Sequence, residues 1–245
     1  NDDEFFAHYG YLAEQLYRIT KPGRLTAIHC KDLPMYKGRD GAAGLKDFPG
    51  DIIRMYESKG WQFHSRVTIW KDPVIEMQRT KNHGLLYKQL CKDSAASRQG
   101  MADYVIVMRK WGDEKKWDSV TRGGERFFDY IGATTHGPTQ KDLIRARTAK
   151  ERERLYSIAV WQRYASPVWF DVAQTRVLNY QIARDAADEK HICPLQLDVI
   201  ERAIELWSNP GDLVFSPFTG IGSEGVVAVE MGRKFVGAEL KEGYW

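Results

Sequence analysis

Three glycines and one carboxylate carry the clearest chemistry in this 245-residue chain. Gly220, Gly222 and Gly225 recur as G-x-G-x-x-G inside DLVFSPFTGIGSEGVVAVEMGRKFVGAE, residues 212–239. Glycines at this spacing let a backbone turn tightly or approach a ligand closely. Residues 213–215 form a short apolar run, 225–231 are apolar enough for a packed helix, and 234–238 alternate toward a second strand. Glu239 falls at the end of that strand, where such units place an acid that accepts hydrogen bonds from the two hydroxyls of a ribose. The chemistry indicated is the holding of a nucleoside cofactor. Ser216-Pro217-Phe218-Thr219 separates the first strand from the glycines. The loop is therefore wider than a pyrophosphate-binding turn and suits a nucleoside with an amino-acid tail. The bare glycine spacing also fits a ligand-free connection or an NAD-linked oxidoreductase.

The elements that must position these residues follow from periodicity. Residues 2–20 read as a helix, with Phe5, Phe6, Tyr9, Leu12, Leu16 and Ile19 at three- and four-residue spacing, ended by Lys21-Pro22-Gly23. A short apolar strand follows at 25–29, a helix at 48–59, a β-type segment at 61–70 and a buried strand at 104–108. Residues 80–100 are polar and basic, the composition of a mobile loop or of a loop with a short helix. From 111 to 166 the character changes. Between Lys141 and Arg154 there are six basic residues against three acidic, which fits a solvated helix face or a phosphate-contacting element. A helix with a clean period spans 194–207, and Ser208-Asn209-Pro210-Gly211 turns the chain into the strand before the glycines.

Composition sets wider bounds. One α/β domain with an insertion, or two small domains, fits this length. The net charge of +3 permits nucleic-acid binding without requiring it. No run approaches the roughly 18 apolar residues of a membrane span. Three scattered cysteines fit a reducing, cytoplasmic setting and argue against a structural zinc site. The opening residues, NDDEFF, read as the interior of a longer chain.

The segment KHICPLQLDVIERAIELWSNPGDLVFSPFTGIGSEGVVAVEMGRKFVGAELKEGYW resembles the cofactor-binding half of amino-methylating DNA methyltransferases. It is similar to the permuted, β-class group, phage and prophage members above all, in which the catalytic motif precedes the recognition region and the cofactor region follows it. RITKPGRLTAIHCKD, WQFHSRVTIWKDP and DYVIVMRK resemble that family's earlier strands. The resemblance implies an α/β fold: a Rossmann-like sheet with helices on both faces, circularly permuted, plus a small recognition insert. Residues 1–110 would form the catalytic-side half, 111–166 the insert and 167–245 the cofactor half. It implies S-adenosyl-L-methionine as cofactor, double-stranded DNA as partner, and no metal or membrane. Ser216, Pro217, Phe218, Gly220 and Gly222 would wrap the methionine part, Glu239 the ribose, and Lys190, His191, Ile192 and Cys193 the preceding cofactor motif. Ser216 stands where the family has an Asp. His29, Lys31 and Asp32, at a strand exit, would face the same crevice. Trp70, Lys71, Arg79 and Lys81, with Arg145, Arg147 and Arg152, would approach DNA.

One departure is large. The family's catalytic tetrapeptide, a polar residue followed by Pro-Pro and an aromatic, has no match, because the chain has no Pro-Pro. The expected place for it is just before residue 1, on a strand between those at 213–215 and 25–29. A preceding segment or a partner chain would then complete the sheet, and residues 1–245 alone would be poorly soluble and inactive. A catalytically inactive DNA-binding module and an RNA or small-molecule methyltransferase remain alternatives.

Overall fold

The computed structural model describes residues 2–80, 87–112, 138–179 and 194–241. The chain divides into two compact units, residues 1–117 with 167–171, and residues 118–166 with 172–245.

The first unit is built on a mixed four-stranded sheet. Helix α1 (Asp2–Ile19) leads through the turn at Gly23 into strand β1 (Leu25–Lys31). A hairpin of β2 (Leu33–Met35) and β3 (Gly44–Lys46) follows, with helix α2 (Lys37–Asp40) at its tip. Helix α3 (Phe48–Ser58) starts where the Asp47 side chain accepts from the Gly50 amide at 2.9 Å. Then come β4 (Gln62–Ile69), α4 (Pro73–Thr80), two 3₁₀ turns (Tyr87–Cys91 and Ser94–Ala96) and β5 (Asp103–Arg109). The sheet order is β1-β5-β4-β6, where β6 is Val168–Trp169. β5 runs antiparallel to both β1 and β4, and β6 is parallel to β4. Strands β1, β4 and β6 therefore all end at one edge of the sheet.

Periodicity explains the core. Ala13 and Leu16 of α1 and Ile52 and Tyr56 of α3 pack with Trp61, Ile106 and Met108, with Ile28 and Cys30 of β1 beside them. The Trp61 indole N–H donates to the Ala13 carbonyl at 3.0 Å, which satisfies the one polar atom this ring buries. Burial pushes the Cys30 thiol up to about 12, so it is an inert packing group.

The second unit opens with α5 (Gln140–Arg145) and α6 (Ala149–Tyr164). The single charged helix expected here is broken, because the Thr148 hydroxyl accepts from the Glu151 amide at 3.1 Å and caps a new helix. Helix α7 (Leu197–Trp207) packs Ile200 and Ile204 on Val227 and Ala228 of α8 (Ser223–Glu230), beside Val214 of β7 (Leu213–Ser216) and Phe235 of β8 (Lys234–Gly237). β7 and β8 pair in parallel across α8, giving the strand–turn–helix–strand order read from the sequence. They form a two-stranded sheet of their own, so among the described residues the strands make separate mixed and parallel sheets rather than one. Leu213, Phe215 and Val236 are exposed on this pair.

The structure departs from expectation in three places. Residues 33–46, between the expected strand and helix, form a hairpin. A helix not expected from the sequence spans Pro73–Thr80, whereas the 3₁₀ turns beyond it agree with a loop holding a short helix. Residues 167–171, assigned to the cofactor half, join the first unit's sheet, because Thr68 and Ile69 pair with Val168 and Trp169. No described helix is long and apolar enough to cross a membrane.

Candidate functional site

The glycine turn is stitched to the exit of β8 by backbone bonds. The Ala238 N–H donates to the Ser216 carbonyl at 2.9 Å, and the Thr219 N–H to the Ala238 carbonyl at 3.0 Å. Glu239 closes the turn: its Oε2 accepts from the Gly220 N–H at 2.7 Å, and its Oε1 from the Leu240 and Lys241 N–H groups, each at 2.9 Å. The Lys241 and Gly220 amides hold this carboxyl below the ordinary range against the small opposing effect of burial. A carboxylate has about four acceptor positions, so capacity remains for a ribose hydroxyl.

The three glycines are needed for different reasons. Gly220 (φ 52°) and Gly222 (φ 86°) adopt left-handed backbone that side chains disfavour. A methyl group at either would meet nothing within 4 Å, so both border open space. Gly225 is required by packing, since a Cβ there would lie 2.9 Å from the Phe235 ring. It lets α8 sit close on β8, the task of the third glycine in such turns. Ser216 is buried at the end of β7, and Phe218 is exposed beside the glycines. Glu224, in the first turn of α8, is pushed up by burial. These residues fit a nucleoside with an amino-acid tail, except that Ser216 supplies no carboxylate for the tail's ammonium. Lys190, His191, Ile192 and Cys193 lie outside the described residues.

At the carboxyl end of β1 and β4 the first unit buries a charged cluster. Asp103, the first residue of β5, places Oδ2 at 2.8 Å from the Lys71 ammonium and 3.2 Å from His29 Nε2. Burial raises the Asp103 carboxyl, but the bonds from His29 and Lys71 outweigh it and hold the group at about 2. Lys31 approaches the buried Glu76 of α4 at 3.6 Å. Of the three residues expected to line a crevice, His29 is thus hydrogen-bonded to Asp103 on the neighbouring strand and Lys31 is paired with Glu76 of α4. Asp32 is half-buried, and burial together with Asp47 raises its carboxyl.

The DNA candidates separate. Trp70 is exposed. Lys71 is not: its side chain is 6% exposed and its ammonium is bound to Asp103. The structure therefore withdraws Lys71 from any phosphate, because a buried cation needs its counter-ion where it is. Arg79 sits in α4, and Lys81 lies outside the described residues, as do residues 113–137 of the insert. Arg145 and Arg147 are exposed around the start of α6, and one Arg152 nitrogen donates to the Ala146 carbonyl at 3.1 Å. Sequence reasoning misses Asp103 and Glu76. The apolar pattern starts the strand at Tyr104, and nothing local marks an acid at a strand's head as the counter-ion of a lysine 32 positions earlier. Among the described residues no group of three or more His, Cys, Asp or Glu could hold a metal ion.

A βαβ unit built around a glycine turn and a mixed sheet place the chain among α/β folds. The solved structure of a Thermus thermophilus protein, described as a putative DNA modification methylase complexed with S-adenosyl-L-methionine, superposes with a TM-score of 0.61 at 20% identity, over 99% of this chain and 74% of that one. The cytosine-N4-specific PvuII DNA methyltransferase gives 0.51 at 13% identity, over 99% and 68%. The chain belongs to the N6_N4_Mtase family, DNA methylase, whose profile matches residues 1–245. It is 44% identical over 54 residues to the type II methyltransferase M1.MboII of Moraxella bovis, covering 22% of this chain and 21% of that protein. It is 46% identical over 70 residues to the DNA adenine methyltransferase YhdJ of Escherichia coli K12, covering 28% and 24%. The matched segments thus span about a quarter or less of those two relatives.

Proposed function

We propose that this protein is a site-specific DNA methyltransferase of the permuted β class, acting on the exocyclic amine of adenine (N6) or cytosine (N4). The observation that carries the reading is the Glu239–Gly220 bond at 2.7 Å, which holds the acid against the open glycine turn. S-adenosyl-L-methionine is the donor, and when bound it supplies an electrophilic methyl group on a sulfonium. Ser216, Pro217, Phe218, Gly220 and Gly222 hold the methionine portion, Glu239 the ribose, and Lys190, His191, Ile192 and Cys193 the remaining cofactor contacts. Gly225 keeps α8 and β8 close enough to fix the turn. An exocyclic amine is a weak nucleophile, its lone pair being delocalised into the ring. The protein's task is therefore alignment of amine and methyl, with the target base turned out of the duplex at a cost of a few kcal/mol. Trp70, Arg79 and Lys81 approach the DNA, and Arg145, Arg147 and Arg152 contact phosphates of the recognition region. Lys71 and His29 instead brace β4 and β1 through Asp103.

A second reading rests on the lack of any Pro-Pro in these 245 residues: a methyltransferase-like module that binds DNA without modifying it. One assay separates the two. Full-length protein is incubated with duplex DNA and methyl-labelled S-adenosylmethionine, and the DNA is digested to nucleosides. Label in N6-methyldeoxyadenosine or N4-methyldeoxycytidine is expected and names the target. Binding of S-adenosylhomocysteine and DNA without label in either nucleoside supports the inactive module. Binding of NAD in place of S-adenosylhomocysteine overturns both.

A further inference from the structure

Every connection leaving the carboxyl ends of β1, β4 and β6 gathers at one edge of the first unit's sheet, which β5 enters at Asp103. Two exposed aromatic residues stand there side by side. The register Thr68–Val168 and Ile69–Trp169 is carried one residue further by the Trp70 N–H, which donates to the Trp169 carbonyl at 2.9 Å. Trp70 and Phe170 are thus the next residues in line on adjacent parallel strands, about 4.8 Å apart in the hydrogen-bonding direction. Ile69 and Trp169 are buried at 0% and 1% exposure, whereas Trp70 is 49% and Phe170 56% exposed.

Most acidic groups on the connections at this edge are engaged within the protein. Asp47, Asp72 and Asp93 cap helices or turns. Asp40 is bound to Arg39, and Glu76 is buried against Lys31. Lys37, Lys88 and Lys92 are exposed and have no acidic partner among the described residues. Two uncovered rings at the edge from which connections bearing exposed ammonium groups leave match the chemistry of a nucleic acid, in which flat bases lie beside phosphates.

We propose that Trp70 and Phe170 form a two-ring platform that stacks a base displaced from the DNA duplex, with Lys37, Lys88 and Lys92 meeting the flanking phosphates. The proposal rests on the DNA methyltransferase reading and adds Phe170 and the three lysines to it. β6 then has a function beyond closing the sheet, since it delivers the second ring.

The test compares two labelled duplexes, one fully paired and one carrying a single bulged adenine, by fluorescence anisotropy with the full-length protein. Wild type is expected to bind the bulged duplex about tenfold more tightly, within the range of base–aromatic stacking. Phe170→Leu removes the preference while leaving the affinity for paired DNA, its salt dependence and S-adenosylhomocysteine binding unchanged, and Trp70→Leu removes the preference as well. Phe170→Tyr and Trp70→Phe keep it. The Lys37→Gln, Lys88→Gln, Lys92→Gln triple variant lowers the slope of log K against log salt by about 2.7 on both duplexes. Equal binding of the two duplexes by wild type overturns the platform. So does a preference that survives both leucine variants in a protein that still transfers methyl groups. A wild type that neither binds DNA nor transfers methyl groups overturns the parent reading as well.

Discussion

The cofactor turn and the charged cluster at the sheet's edge solve one problem, the holding of a site's geometry, by opposite means. The turn does it with backbone. Gly220 and Gly222 take φ values that side chains disfavour, Gly225 leaves room for Phe235, and the one acid, Glu239, is bound by amides of its own neighbourhood. The edge does it with buried charge, Asp103 drawing His29 from β1 and Lys71 from the end of β4 onto one oxygen. A turn of that kind is fixed by residues close to one another along the chain. The cluster is fixed by residues 32 and 74 positions apart, and it holds only while every charge has its partner.

That contrast can be broken most severely at Asp103. Asp103→Ala removes the carboxylate that the buried Lys71 ammonium faces at 2.8 Å, and we expect a loss of about 3–5 kcal/mol in urea unfolding. The pH dependence follows from the same pair. The folded Asp103 carboxyl lies at about 2, below its ordinary 3.8. Its stabilising contribution is therefore complete above pH about 4 and disappears as pH falls through about 2. Unfolding free energies measured across that window should fall in wild type and fall less steeply in Asp103→Asn; parallel curves would show that the cluster does not titrate as described.

In the turn, Gly225→Val drives a side chain into the Phe235 ring, 2.9 Å from where its Cβ would sit. Overpacking of this kind costs about 1–3 kcal/mol. Calorimetry should show S-adenosylhomocysteine binding lost while most of the fold survives. Glu239→Gln is milder. It weakens the same ligand about tenfold, the scale of one charged hydrogen bond, with little change in melting temperature. A large drop in stability without loss of affinity would make Glu239 a structural clasp only. The smallest effect is expected outside both regions. Arg145→Gln with Arg147→Gln should lower the salt slope of DNA binding by about 1.8 and leave stability unchanged.

How much the sequence discloses follows the same division. The βαβ order around the glycines, the α1 and α3 faces that pack on Trp61, and strands β4 and β5 are legible from spacing alone, because each is set by a local period. Glu239 is legible as a strand-end acid, though its bond to Gly220 is not. The Lys71–Asp103 pair is hidden, since it depends on the register of β4 against β5, which brings Ile69 opposite Asp103. Lys71 looks like a phosphate ligand because a lysine beside a tryptophan at a strand exit gives no sign of a carboxylate beneath it. β6 is hidden for the same reason. Two residues have no period, and only their pairing with Thr68 and Ile69 makes them a strand.

That small strand has a bearing on how the molecule can vary. Thr68 meets Val168, one hundred positions later, so everything between β5 and β6 is a closed excursion from a finished sheet. The entropy of closing such an excursion rises only by about 0.6 kcal/mol for each doubling of its length. A change of length in that connection would therefore cost the sheet little, with Val168 and Trp169 still paired to Thr68 and Ile69.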